Sequence, residues 1–181
     1  MTARLKEFFL MKIVCRNNTV RYARRLGVTI GDQCRLLDHP RRIFGTEPYL
    51  VSLGHHVTIT SGVRFVTHDG GVWVFREDDP EIDVFGPIRI GNNVFIGFDT
   101  LVLLNVTIGD NCVIGAGSLV TRSIPSNTVA AGCPARPLKS LEEYRKKVEP
   151  LASHLRSLPK DRKREALLRR FGRCSSVASQ G

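Results

Sequence analysis

The chain has 181 residues, 42% of them hydrophobic, enough for one domain with an appendage. Twenty-seven Lys and Arg against 17 Asp and Glu leave a charge of +10, which favours polyanionic partners, an anionic membrane surface or a phosphate-rich cofactor. The five cysteines are odd in number and scattered, so no zinc site or redox pair is expected and a reducing cytoplasm fits.

Met1 to Val14 is basic with a brief apolar run, but Lys12 interrupts it and no small-residue cleavage site comes after it, so no signal peptide is expected. No run reaches transmembrane length. Residues 1–27 read as a helical lead-in, with Phe8, Phe9, Met11 and Ile13 placed to cover the open strand edges at one end of the β region. A β pattern begins at Val28, anchored on Ile30, and is interrupted by an irregular stretch from Leu36 to Leu50 containing Pro40 and Pro48. Leu53, Ile59 and Phe65 resume it at intervals of six.

The interval from Phe65 to Ile90 is not a multiple of six, so residues 66–87 form an excursion from a regular wall. Such insertions tend to carry the binding face. This one holds the only Trp, Trp73, and the carboxylates Glu77, Asp78, Asp79, Glu81 and Asp83. Most of these carboxylates are expected simply to be solvated.

From Ile88 to Pro137 the repeat is regular. Ile90, Ile96, Val102, Ile108, Ile114 and Val120 share one phase, and Val94, Thr100, Val106, Cys112, Ser118 and Ile124 a second. Six matches neither the helical period of 3.6 nor the strand period of 2. It is one short strand plus one tight corner, the period of a parallel β-helix, in which each turn buries its apolar row against its neighbours. Cys34 and Cys112 share a phase and read as small core residues. Ser140-Leu-Glu-Glu opens a capping box, with a helix expected from Leu141 to about Leu158, interrupted near Pro150. Residues 140–173 form a basic helical region, and 174–181 a disordered tail.

Of the histidines, His68 stands where regular wall becomes excursion, so its ring can face a cleft. His55 and His56 occupy corner positions, His39 lies in the irregular stretch and His154 in the tail helix. A metal enzyme of the γ-class carbonic anhydrase kind needs histidines converging from successive turns, and Ile88 to Ala135 contains none. No metal is therefore expected. A non-catalytic interaction solenoid would lack the excursion. A nucleic-acid module would interleave its basic tail with aromatics.

Gly91-Asn-Asn-Val-Phe-Ile-Gly, Val106-Thr-Ile-Gly-Asp-Asn-Cys-Val-Ile-Gly-Ala-Gly and Val129-Ala-Ala-Gly-Cys-Pro-Ala-Arg-Pro-Leu-Lys, with Thr67-His68 upstream, carry a resemblance. The chain resembles the hexapeptide-repeat acetyltransferases over Val28 to Lys139, in the branch of maltose, galactoside, xenobiotic and capsule or lipopolysaccharide sugar O-acetyltransferases. The resemblance implies an all-β solenoid, a left-handed parallel β-helix over residues 28–139, and a homotrimer with active sites between subunits. It implies acetyl transfer from acetyl-CoA to a sugar hydroxyl, with an amine acceptor as the alternative. His68 would be the general base, held by a loop carboxylate, Asp83 ahead of Glu81. Asp69 and Trp73 would meet the acceptor. Gly97, Ala116 and Thr121 would line the pantetheine arm, with Arg122, Arg136 and Lys139 at the phosphates. The family pattern has Trp where Phe95 stands and often a small polar residue where Phe98 stands. It has sugar-binding asparagines at about Thr60 and Gly62, so free maltose or galactoside is not the expected acceptor. The basic C-terminal region suits an anionic membrane surface, hence a cytoplasmic protein peripheral to the membrane.

Overall fold

The computed structural model describes residues 18–172, so Phe8 to Ile13, Cys15 and the expected tail lie outside the described residues. The described residues divide into two compact units after Arg145.

In the first unit, Asn18 caps α1 (Thr19–Arg25) by accepting from the Arg21 N–H at 2.9 Å. Eleven short strands then run in parallel coils: β1 (Thr29–Ile30), β2 (Arg35–Leu36), β3 (Val51–Leu53), β4 (Thr58–Ile59), β5 (Arg64–Val66), β6 (Ile88–Ile90), β7 (Val94–Ile96), β8 (Leu101–Leu103), β9 (Thr107–Ile108), β10 (Cys112–Ile114) and β11 (Leu119–Val120). They stack as three sheets, β1-β3-β6-β9, β4 between β2 and β7 with β10 beyond, and β5-β8-β11. Ile90 pairs with Ile108, Ile96 with Ile114 and Val102 with Val120, so residues eighteen apart lie one coil above another. From Ile88 on, one coil is therefore three hexads, one per sheet.

Both six-residue rows point inward. Every member of each, including Thr100 and Ser118, is buried. The polar members are satisfied: Thr100 and Ser118 hydroxyls both donate to the Gly115 carbonyl. At one edge the corners are left-handed at His56, Asn93, Asn111 and Asn127. Their side chains form a ladder, Asn93 donating to Asn111 at 2.9 Å, Asn111 to Asn127 at 3.1 Å, and His56 Nδ1 meeting Asn93 at 2.8 Å. Asparagine tolerates this conformation better than most residues, which is why the corners are rich in it. Gly97 is required by close approach, since a Cβ there would strike the backbone of Ala116 in the next coil.

The stretch Leu36–Leu50 is more ordered than its sequence suggests. It holds α2 (Pro40–Phe44), whose Ile43 and Phe44 are fully buried, and a 3-10 turn at Pro48–Leu50. The proline that interrupts a strand pattern is well suited to a first helical position. At the other end β12 (Thr128–Gly132) extends the β10 sheet, and β13 (Ala135–Ser140) returns antiparallel across it.

The capping box forms at Ser140: Glu143 Oε2 accepts from the Ser140 N–H at 2.7 Å, and Ser140 Oγ from the Glu143 N–H at 3.1 Å. α3 (Leu141–Val148) then ends at the interruption expected near Pro150, in a 3-10 turn at Glu149–Leu151, and no helix resumes before Lys160. Pro150 cannot donate its own N–H and disfavours helical backbone at the residue before it. In the second unit, α4 (Lys160–Phe171) starts after Pro159, and Arg170 donates to Ser153 Oγ at 2.7 Å. Among the described residues, no helix is long and apolar enough to cross a membrane.

Candidate active site

The excursion leaves the wall after β5 and is cinched at its root. The Asp69 N–H donates to Val84 O and the Gly86 N–H to Thr67 O, both at 2.9 Å, so 67–69 runs antiparallel to 84–86. His68 faces Phe85 across this bridge, their rings edge to face at 6.2 Å. Within the excursion, Asp69 Oδ1 accepts from the Gly71 N–H and starts a 3-10 helix over Gly70–Phe75. The result is a hollow of about 510 Å³ whose lining includes Glu47, His68, Asp69, Trp73, Arg76 and Asp83.

Glu47 meets His68 there. Its Oε2 lies 2.9 Å from His68 Nδ1 and accepts from Thr67 Oγ1 at 2.8 Å. A hydrogen bond from Thr46, then those from His68 and Thr67, hold the Glu47 carboxyl below its usual range despite partial burial. An ionised carboxylate only accepts, so the bond places the imidazole proton on Nδ1. In the neutral imidazole Nε2 then keeps its lone pair, the form a general base requires. Thr67 is buried and His68 half-exposed, so the ring is anchored at Nδ1 while part of it stays accessible.

The carboxylate at His68 Nδ1 is thus Glu47 and not Asp83, nor Glu81. Asp83 is instead engaged by Arg76, at 2.6 Å, on the rim of the same hollow. A guanidinium that can meet a carboxylate through charge-assisted hydrogen bonds is a stronger partner for it than a half-exposed imidazole. Glu47 is missing from the residues the sequence singles out, because it lies in the irregular stretch before Pro48. The eighteen-residue register does not find it, because the coil there is lengthened by the irregular stretch: Thr29 pairs with Ser52 and Arg35 with Thr58.

Asp69 and Trp73 share the hollow with His68, and Trp73 is 71% exposed. The six residues expected along a cofactor do not line it. Gly97 and Ala116 stack at the corner between the β7 and β8 sheets, where the Gly97 N–H donates to Ile114 O at 2.8 Å. Thr121 and Arg122 come just after β11 and are exposed. Arg136 lies opposite Ala131, and Lys139 opposite Val129, on the terminal hairpin. Arg136 is exposed, and its guanidinium donates to Ala135 O at 2.9 Å. Among the described residues, no group of three or more His, Cys, Asp or Glu could hold a metal ion.

The wall of stacked hexads, broken by one excursion that carries a carboxylate-held imidazole, is the build of a hexapeptide transferase. A family model described as bacterial transferase hexapeptide (six repeats) matches residues 87–122. The chain belongs to the hexapeptide-repeat acetyltransferases. It is 50% identical over 167 residues to protein CapG of Staphylococcus aureus, covering 92% of this chain and 96% of that one. It is 42% identical over 97 residues to galactoside O-acetyltransferase of Escherichia coli K12, but spans only 47% of that relative's length. A solved hexapeptide-repeat acetyltransferase from Vibrio cholerae superposes with a TM-score of 0.51 at 30% identity, over 64% of this chain and 63% of that one.

Proposed function

We propose that the protein moves an acetyl group from acetyl-CoA to a sugar hydroxyl, in a precursor of a surface polysaccharide or lipopolysaccharide, with His68 as general base. The observation that carries this reading is the 2.9 Å contact between Glu47 Oε2 and His68 Nδ1 beside an open hollow. A hydroxyl attacks a thioester poorly unless its proton is removed during attack. His68 Nε2 takes that proton as the hydroxyl oxygen bonds to the thioester carbon. Glu47 stabilises the imidazolium so formed. When the carbon–sulfur bond breaks, His68 returns the proton to the departing thiolate, and the base is regenerated.

Glu47, rather than Asp83, holds the ring in this scheme. Asp83 fixes Arg76 on the rim. Trp73 stacks on the sugar and Asp69 hydrogen-bonds it. Gly97, Ala116 and Thr121 line the pantetheine arm, and Arg122, Arg136 and Lys139 attract the phosphates. These residues stand away from the His68 hollow in one chain, which suits a groove completed by a neighbouring copy. By family likeness the coil is left-handed and the assembly a homotrimer, acting in the cytoplasm.

An acetyl-transfer assay over a panel of sugars, amino sugars and small amines tests the reading, with His68→Ala as control. Turnover on a sugar hydroxyl is expected, lowered roughly a hundredfold or more by His68→Ala, as general-base magnitudes require. Transfer confined to amines, or an unimpaired His68→Ala, overturns it.

A further inference from the structure

The second unit has an unusual charge. From Arg156 to Phe171 there are seven Lys and Arg against Asp161 and Glu165, a net +5 and so half of the chain's +10. Every Lys and Arg of α4 is exposed. A helix whose charges merely solvate it is commonly laced with ion pairs three or four residues apart. Here, among the described residues, no carboxylate lies within 4.0 Å of Lys160, Arg162, Lys163, Arg164 or Arg169. Apolar groups are exposed beside them: Phe171 is 69% exposed, Leu151 66% and Leu158 40%. On the helix, Leu167 and Phe171 continue the stripe begun by Lys160 and Arg164, so cations and apolar side chains share a face.

We infer that α4 is an interfacial helix that docks the enzyme on an anionic lipid surface. This goes beyond the acetyl-transfer reading and does not depend on it. Aliphatic side chains decide for lipid over nucleic acid. A nucleic-acid surface rewards aromatic stacking between the basic groups, and Phe171 is the one aromatic residue in this run. A bilayer accepts Leu and Phe at the boundary while long basic side chains reach the headgroups. Twelve residues are too few to span, so the helix lies in the plane.

The test is partition of the full chain between buffer and vesicles. One vesicle is pure phosphatidylcholine and the other an equal mixture with phosphatidylglycerol. The chain is expected on the mixed vesicles only, and less so at high salt. Each basic residue at the surface contributes about fivefold, so Arg162→Gln, Lys163→Gln, Arg164→Gln and Arg169→Gln together weaken partition by roughly a hundredfold or more. Arg162→Lys, Arg164→Lys and Arg169→Lys together keep the charge, and binding stays within about threefold. Phe171→Ser weakens it severalfold. Equal binding to both vesicles, no binding to either, a four-Gln variant that partitions like the parent, or a three-Lys variant that loses binding overturns the proposal. So does duplex DNA bound in place of the mixed vesicles.

Discussion

Glu47 and His68 share a hydrogen bond of 2.9 Å although they are separated by 21 residues and one complete coil. The carboxylate that sets the tautomer therefore comes from the rung before the excursion. If it orients the base, Glu47→Gln should lower kcat roughly tenfold to a hundredfold, the usual cost of losing an orienting partner. A Gln amide can donate to Nδ1 and so favour the wrong tautomer. KM for either substrate should change little if Glu47 acts only through His68. Steady-state kinetics decide it, and an unchanged kcat removes Glu47 from the scheme.

The same contact has a stability consequence with a definite sign. Glu47's carboxyl is depressed in the fold, chiefly by Thr46 and then by its bonds with His68 and Thr67. Its stabilising contribution is complete above the ordinary value of 4.5 and is lost as pH falls through its own lower value. Thermal unfolding of Glu47→Gln should thus lie furthest below wild type near neutrality and approach it in acid. A gap that widens in acid contradicts the depressed carboxyl.

Asp83 and Arg76 make an ion pair whose side chains are 52% and 44% exposed. Exposed pairs contribute about 0–1 kcal/mol, so Asp83→Asn should leave stability nearly unchanged. Its loss of turnover should be smaller than that of Glu47→Gln in the same assay. The reverse order would return the orienting role to Asp83.

Gly97 lies against the Ala116 backbone with no room for a Cβ. Gly97→Val overpacks this corner and should cost about 1–3 kcal/mol in denaturant unfolding. Ile96→Ala, in the fully buried row beside it, should cost about 2–5 kcal/mol through the cavity it opens. A neutral Gly97→Val would mean that the coils separate easily here.

If Arg136 attracts the CoA phosphates as proposed, Arg136→Glu should raise KM for acetyl-CoA at least severalfold, since it replaces that cation with an anion. Far-ultraviolet circular dichroism should be unaltered, because among the described residues the Arg136 side chain bonds just the Ala135 carbonyl. Unchanged affinity would place the phosphates elsewhere.

The six-residue rows were legible in the chain itself, because burial in a solenoid is dictated by position within a hexad and repeats along the chain. Ile90 through Val120 point inward for that reason, and the Asn corners arise from local backbone preference. The candidate site was legible only where it is local: Thr67-His68 at the junction of wall and excursion, with Trp73 and Asp69 close behind. Its other half was not. Which carboxylate reaches His68 depends on how α2 and the turn after Glu47 place one coil over the next, and Asp83, nearer in sequence, is taken by Arg76. Repetition is a property of the chain, whereas a hydrogen bond between coils is a property of their stacking, and only the folded molecule decides it.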